Sequence, residues 1–266
     1  MYILCHISRF EGPQLALVKQ LLHSGRVPQY CEEVRDFSCT LHFYSPKAYN
    51  YLRNIFSLPA TSTLRSWVSN VDALPGFSVD AMRYLKKRCS AGNNDYQMAA
   101  LVIDGMSLKE HVEYDNSIKR VIGYVDLGCF SPSETEELAK EALVVMLVGL
   151  RGHWKIPVAY YLVKGISASL QAGIIRETIV QCYAFGLRVT SVTCDGTSHN
   201  IKTMELLGAS LRAGEELRAF FKHPSNDDLS VGVFLDPPHM IKLFRNMLHK
   251  FKAVKWPGRG LIKWEF

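Results

Sequence analysis

The sequence has no apolar run long enough to cross a membrane. Its longest, Ala142 to Leu150, has nine residues, whereas a bilayer-spanning helix needs about 20. Both common nucleotide-binding patterns, G-x-G-x-x-G and G-x-x-x-x-G-K-[ST], are absent. The seven cysteines are scattered, with no C-x-x-C pair, which is typical of reduced thiols rather than of a disulfide framework. These absences argue against a membrane span, a standard nucleotide site and a disulfide-rich secreted domain.

Charge is distributed unevenly along the 266 residues. Residues 1–94 contain 11 Lys and Arg against 6 Asp and Glu, and residues 222–266 contain 8 against 4. The segment between them contains 12 against 15. Basic ends can meet nucleic acid, and an acidic centre can hold cations. Ordinary scatter of surface lysines would give the same totals, so charge alone leaves both interpretations open.

The first 94 residues have the pattern of short helices. Ser45 before Pro46 is a strong helix-start signal, and the breaker SLPAT separates that helix from the next. Short helices joined by a tight turn are typical of a helix-turn-helix, although a small helical bundle without DNA-binding activity has the same pattern. In the helix-turn-helix interpretation the second helix presents three side chains to the DNA groove: Arg65, Ser66 and Ser69.

A further helix ends in three basic residues that we also predict as DNA contacts: Lys86, Lys87 and Arg88. The loop SAGNND follows, and we expect a domain boundary there. The predicted organisation is a small all-α, helix-turn-helix-like segment over 1–94, a sheet domain over 95–250, and a basic segment over 251–266.

Beyond the loop, continuous apolar runs predict strands that are buried on both faces. Their order is strand, strand, strand, helix, strand, helix, strand, with an added hairpin after the first strand. The first three strands are joined by short turns and must run antiparallel, whereas strands joined through helices can run parallel. The predicted fold is therefore α/β, an RNase H-like mixed sheet.

Three aspartates lie where predicted strands end: Asp104, Asp195 and Asp236. Adjacent strands lie about 4.8 Å apart. If the first and fourth strands are neighbours, the charges of Asp104 and Asp195 repel by roughly 4 kcal/mol at about 4 Å and an effective dielectric near 20. Either one carboxylate takes a proton or a cation lies between them. Carboxylate oxygens suit Mg²⁺ or Mn²⁺, so we predict that both aspartates are metal ligands and catalytic residues for phosphodiester chemistry.

Two alternatives to that prediction stay open. An Asp-Gly pair after a strand is also a very common turn. Asp126, in the stretch VIGYVDLG, competes with Asp104 as the first acid, although a hairpin strand is a poorer position for a metal ligand. We also infer that Gly105 and Gly196 leave room for a nucleic-acid backbone beside the two aspartates.

The stretch FLDPPHMIKLFRN predicts a strand that stops at Asp236 and a basic helix that starts at once. Prolines cannot donate ladder hydrogen bonds, and Pro238 suits the first turn of a helix. His239 would then lie near the acidic edge of the sheet as a structural or supporting group, while Lys242 and Arg245 would project toward a phosphate backbone.

Taken together, these stretches resemble P-element-type DNA transposases, the family that includes the THAP-domain transposases. The matching segments, in this order over residues 37–266, are LHFYSPKAYNYLRNIFSLPATSTLRSW, ALVIDGMSLKEHVEYD, GYVDLG, WKIPVAYYLVKG, VTCDGTSHN and LDPPHMIKLFRN. The resemblance implies a helix-turn-helix and an RNase H-like domain that cuts and joins DNA with Mg²⁺ held by two Asp and a Glu. It makes Asp104 and Asp195 the first two acids, and Asp236 with His239 a D-x-x-H motif.

The sequence departs from the family pattern in three ways. Residues 1–36 lack the cysteine and histidine pattern of a zinc-binding THAP module. The family's Glu follows an inserted helical domain, and this sequence reaches GLIKWEF about where that insertion would begin. That insertion is linked to GTP in the P-element transposase, so any GTP site would belong to full-length relatives. We therefore expect a transposase fragment without its third acid, with 251–266 as the basic start of the insertion.

The resemblance also implies DNA as the partner, a nuclear location and no membrane partner, with a homo-oligomer left open. An inactive fragment could instead be cytoplasmic. The alternative function is a non-catalytic DNA-binding or protein-interaction module that keeps the RNase H-like fold without its chemistry.

Overall fold

A computed structural model describes residues 10–22, 29–69, 74–116, 118–130, 136–212, 214 and 216–264. Internal contacts divide the chain into two units, Met1–Asp72 and Ala73–Phe266. The boundary expected near residue 94 therefore lies about twenty residues earlier. The physical reason is that the helix Val79–Ser90 packs on the sheet: its Leu85 is buried in the sheet core.

Four helices form the described part of the first unit: α1 (Gly12–Leu21), α2 (Glu32–Tyr44), α3 (Pro46–Phe56) and α4 (Thr61–Ser69). The start of α3 is confirmed, since the Ser45 hydroxyl accepts a hydrogen bond from the Ala48 amide at 3.2 Å, as an N-cap should. The sequence pattern had not predicted α1.

The helices of this unit pack on a small core around Val34, Tyr49, Leu58 and Leu64. The buried Tyr49 hydroxyl donates to the Pro59 carbonyl at 2.7 Å, which ties α3 to the turn before α4. On α4 itself, Leu64 is buried, whereas Val68 is 60% exposed.

The second unit contains β1 (Gly76–Phe77), α5 (Val79–Ser90), β2 (Met98–Ser107), β3 (Glu113–Asp115), β4 (Arg120–Ile122), β5 (Glu141–Gly149), β6 (Lys155–Val163), α6 (Ala168–Ala184), β7 (Arg188–Cys194), α7 (Ser198–Leu207), β8 (Phe220–His223), β9 (Asn226–Leu235), α8 (Pro237–Phe251), β10 (Ala253–Trp256) and β11 (Gly260–Lys263). Short 3₁₀ turns lie at Asn94–Tyr96 and Gly128–Phe130.

Seven of these strands form one mixed sheet in the order β1-β6-β5-β2-β7-β9-β8. β2 pairs antiparallel with β5, and β5 with β6. β2 pairs parallel with β7, and β7 with β9. The RNase H-like prediction is confirmed, and the first and fourth predicted strands, β2 and β7, are neighbours, as the argument from the two aspartates requires. The edge strand β8, antiparallel to β9, had not been predicted.

The hydrophobic core of the second unit lies where α6 covers the sheet. Ile174, Ile175 and Ile179 of α6 are fully buried, together with Leu101 of β2 and Val192 of β7. Continuous apolar strands, rather than alternating ones, are what a sheet covered by helices requires.

Two smaller ribbons lie outside the main sheet. β3 and β4 form the predicted hairpin around DNSIK. β10 and β11 form an antiparallel ribbon, so the basic segment expected to begin a helical insertion is extended where the structure describes it. Within the described residues, no helix is both long and apolar enough to cross a bilayer.

Gly149, at the end of β5, is expected to tolerate no side chain. A Cβ there would collide with the Trp154 indole, which is held by stacking on Tyr96 at 4.8 Å and by donating to the Asp95 carbonyl at 2.8 Å. Gly149→Ala should therefore lower the free energy of unfolding by about 1–3 kcal/mol, measured by denaturant titration.

Gly173→Ala is the matched control for that prediction. Gly173 lies inside α6 with open space around it, and replacing a helical glycine with alanine should raise stability by about 0.5–1 kcal/mol. Equal midpoints for the two variants would contradict the steric argument.

Candidate active site

The carboxyl ends of three adjacent parallel strands bring the three predicted aspartates to one edge of the sheet. Val102 of β2 is level with Thr193 of β7. That pair is the last in the ladder, and Asp195 directly follows β7, which ends at Cys194. Continued by two residues on each side, the same register places Asp104 opposite Asp195, and neighbouring strands lie about 4.8 Å apart. Asp236 follows Leu235, which is level with Cys194, and its amide donates to the Cys194 carbonyl at 2.8 Å.

A β-bulge sets this alignment. Ala99 is level with Val189, but Ala100 is level with Ser191, so Thr190 is an extra residue in β7. Because side chains alternate along a strand, a shift of one residue moves every later side chain to the other face. If Thr190 were paired with Ala100 instead of looped out, Asp104 would fall opposite Cys194, and the two carboxylates would not share a face.

Asp104 lies inside β2, not after it. β2 continues through Gly105 to Ser107 and stays paired with β5. The Asp-Gly pair at this position is therefore part of the ladder, and the turn interpretation is wrong there. The side chain is exposed, and its Oδ1 accepts a hydrogen bond from the Gly105 amide at 2.9 Å.

Asp195 is half-buried and held by donors on one oxygen. Its Oδ1 accepts from the Thr197 amide at 3.1 Å, the Thr197 hydroxyl at 2.7 Å and the Asn200 Nδ2 at 2.5 Å. Within the described residues, no protein group donates to Oδ2. The sequence pattern did not indicate Thr197 or Asn200 as partners of Asp195; the available signal was the polar residues at the cap and in the first turn of α7, just after the aspartate.

The pKa of Asp195 is lowered from its ordinary value. Burial alone would raise it, but the hydrogen bonds from Thr197 and Asn200, together with nearby His239, favour the charged form and outweigh that cost. Asp195 is therefore an ionised carboxylate at neutral pH.

Asp236 has a structural role in the described residues. It is the N-cap of α8, and its Oδ2 accepts from the His239 amide at 3.1 Å. The predicted switch from strand to helix at the two prolines is confirmed, with α8 beginning at Pro237. The same cap places His239 close enough to act on Asp195.

Gly196, beside Asp195, is needed for a different reason from the one we inferred. A Cβ on Gly196 would lie 2.6 Å from the Met240 Cε, so the space is filled by α8 packing on the end of β7 and not left for a nucleic-acid backbone. At Gly105 the nearest atom is the Glu141 Oε2 at 3.6 Å, an ordinary contact.

Asp126 lies elsewhere in the sheet. It forms an isolated bridge with Leu162 of β6, and β5 separates β6 from β2. Its Oδ1 accepts from the Gly128 amide at 2.8 Å. The structure therefore brings Asp104 and not Asp126 beside Asp195.

The predicted basic residues are found in three places. Lys242 and Arg245 are exposed on α8, which begins at the carboxylate edge. Arg65 and Ser66 are exposed on α4 of the first unit, and the Ser69 side chain lies outside the described residues.

The third basic cluster lies on α5, which is anchored to β6 through the hydrogen bond from the Ser78 amide to the Val158 carbonyl at 2.8 Å. Lys86 and Lys87 are exposed there. Arg88 is also exposed, and its guanidinium lies 5.0 Å from the Tyr84 ring centroid and 5.9 Å from that of Tyr96.

The donor set at the edge fits a hard divalent cation bound by two carboxylates. Mg²⁺ is usually held by one or two carboxylates, with water and substrate phosphates completing its shell. An ionised Asp195 with one oxygen free of protein donors, level with an exposed Asp104, meets that description. In the part of the chain that the structure describes, no group of three or more His, Cys, Asp or Glu side chains is arranged to hold a metal.

Comparisons with known proteins match both units. Residues 6–67 match the model for the "Transposable element P transposase-like, HTH domain". Residues 73–208 match that for the "TNP-like, RNase H N-terminal domain". The human protein "DNA transposase THAP9" is 34% identical over 92% of this chain, and the Drosophila melanogaster "Transposable element P transposase" is 30% identical over 89%.

The solved "Drosophila P element transposase strand transfer complex" superposes with a TM-score of 0.66 and 26% identity, over 92% of this chain and 50% of that chain. This chain spans only 27% and 28% of the lengths of the two curated relatives.

Asp236 can be tested as a cap by substitution. Asp236→Ala should reduce stability by about 0.5–2 kcal/mol, because the His239 amide loses its acceptor. Asp236→Asn keeps an oxygen at the same position and should leave the thermal midpoint nearly unchanged. A midpoint lowered equally in both variants would show that the charge, not the cap, matters.

Proposed function

We propose that this chain, which belongs to the P-element-type transposase family, is the segment of a DNA transposase that binds DNA and supplies two carboxylates. The two carboxylates would serve metal-dependent phosphodiester cleavage and strand transfer. One observation carries the proposal: the register of β2 and β7, which ends at Val102 and Thr193, places Asp104 and Asp195, two residues further on, at the same edge of the sheet. A structural Asp-Gly turn does not require that alignment.

Asp104 and Asp195 would hold Mg²⁺ or Mn²⁺, which when bound would polarise a phosphodiester and lower the pKa of an attacking water or hydroxyl. The protein's own contribution is orientation. Thr197 and Asn200 hold the Asp195 carboxylate ionised and in one position, so it can accept a cation without first losing a proton.

α8 is the proposed DNA-facing element of the second unit. It begins at the carboxylate edge, and its exposed Lys242 and Arg245 could each neutralise a phosphate near the cleavage position. A DNA substrate of this kind also implies a nuclear location.

Full strand transfer requires more than this pair. In the described residues no third carboxylate joins Asp104 and Asp195, and Asp236 is engaged as a helix cap. We propose that a further carboxylate completes the site. The two-carboxylate segment should therefore bind the cation without catalysing the complete reaction.

Isothermal titration with Mn²⁺ tests the metal site. Asp104→Asn and Asp195→Asn should each raise the Kd about tenfold or more, since each removes a charge opposite the cation. Asp228→Asn, at an exposed position in β9, is the control and should bind like the wild type. Equal affinities across all four proteins would count against the proposal.

A second candidate function is non-catalytic DNA binding by the same fold. It is favoured by Arg65 and Ser66, which are exposed on α4, and by the Tyr49–Pro59 hydrogen bond, which holds the turn before that helix. This function needs no metal site.

A DNA shift assay over a range of salt concentrations separates the two functions. If α4 reads DNA, Arg65→Ala should weaken binding and reduce the salt slope by about one. The charge-matched Lys155→Ala, on β6, should not. Asp195→Asn should leave DNA binding intact under the second function but alter its Mn²⁺ dependence under the first. An unchanged salt slope for Arg65→Ala would contradict the prediction that Arg65 contacts DNA.

A further inference from the structure

Gln171 is a buried amide on a mostly apolar helix face. It lies on α6 beside the buried Ile174 and Ile175 and is itself only 1% exposed. A buried amide costs free energy unless its donors and acceptor are satisfied.

A chain of hydrogen bonds connects Gln171 to the candidate site. Its Nε2 donates to the Asn200 Oδ1 at 2.7 Å, and its Oε1 lies 2.7 Å from the His199 Nε2. Asn200 in turn donates from Nδ2 to the Asp195 Oδ1 at 2.5 Å. Gln171 is therefore one residue removed from the carboxylate.

The direction of this chain follows from the chemistry of its last member. An ionised carboxylate can only accept hydrogen bonds, so Asn200 must turn its NH₂ toward Asp195 and its oxygen away. That oxygen needs a donor, so the Gln171 NH₂ group must point toward Asn200 and the Gln171 oxygen must point away from it. The Gln171 oxygen then requires His199 to carry its proton on Nε2.

We propose that Gln171 is a positioning residue for the cation site, acting through Asn200 on Asp195; this inference rests on the metal site proposed above. The chain saturates Oδ1 and fixes the plane of the carboxylate, so that Oδ2 is the oxygen presented to a hard divalent cation. Because the anchor lies in the core helix α6, the position of the carboxylate is set by core packing and not by the exposed end of β7.

The experiment compares Gln171→Met with Gln181→Met. Methionine nearly matches the size of glutamine but cannot donate to Asn200. Gln181 lies on the same helix, where its only described partner is the Glu177 carboxylate at 2.8 Å. Each protein is titrated with Mn²⁺ by calorimetry, and the side-chain amide signals of Asn200 are recorded by ¹H–¹⁵N NMR without metal.

Gln171→Met should weaken Mn²⁺ binding by about 10- to 100-fold, the usual cost of losing a group that orients a metal ligand. It should also shift the Asn200 side-chain amide signals. Gln181→Met should do neither. Thermal melting of the metal-free proteins tests whether each variant is folded; if Gln171→Met is not, Gln171→Leu, which also cannot donate to Asn200, replaces it in both measurements.

The outcomes separate this inference from the proposed function. Lack of Mn²⁺ binding by the wild type, or binding unaffected by Asp195→Asn, would overturn the metal site and the inference with it. Loss of binding in Asp195→Asn, but wild-type affinity in Gln171→Met or its replacement, would overturn the inference alone. Weaker binding with unmoved Asn200 signals would also overturn it, because the effect would not pass through the chain.

Discussion

The parallel pairing of β2 with β7 is the constraint on which the candidate site depends. Those two strands are far apart in sequence, and their alignment decides which side chains share the edge of the sheet. The extra residue Thr190 shifts the pairing register of β2 and β7 by one residue, and every later pair keeps that shifted register. Its hydroxyl also donates, at 3.4 Å, to the Ala99 carbonyl, directly at the irregularity. The site is thus determined about four residues before the carboxylates themselves, by backbone geometry inside the sheet.

The polar groups that stabilise the helix starts at this edge of the sheet also belong to the proposed site. Thr197 caps α7 and also donates to Asp195. Asp236 caps α8, which in turn carries His239 toward Asp195. A helix start offers unpaired backbone amides, and acidic or hydroxyl side chains satisfy them. Because strands here end where helices begin, the side chains that end a strand also start a helix, and their positions follow from the fold before any ligand is considered.

Much of the fold could be predicted from the sequence, because buried parallel strands and capped helices have strong local signals. Apolar runs predicted the strands that lead to Asp104 and Asp195, and Ser45 and Pro46 marked the start of α3. The missed features depend on distant partners. The bulge at Thr190 exists only in the paired sheet, the packing of Met240 on Gly196 joins two elements, and the link from Gln171 to Asn200 spans 29 residues. The boundary near residue 94 was misplaced for the same reason, since a local helical pattern does not show which core α5 joins.

The bulge at Thr190 also bears on which ions this edge could prefer. If Thr190 were paired in the ladder instead of looped out, Cys194 would fall opposite Asp104. Burial raises the pKa of the Cys194 thiol to about 12, so such an edge would carry one negative charge fewer at neutral pH. Any thiolate that did form would be a soft ligand suited to zinc or copper rather than magnesium. One looped-out residue therefore distinguishes an edge with two hard oxygen ligands from one with a mixed, weakly charged ligand set.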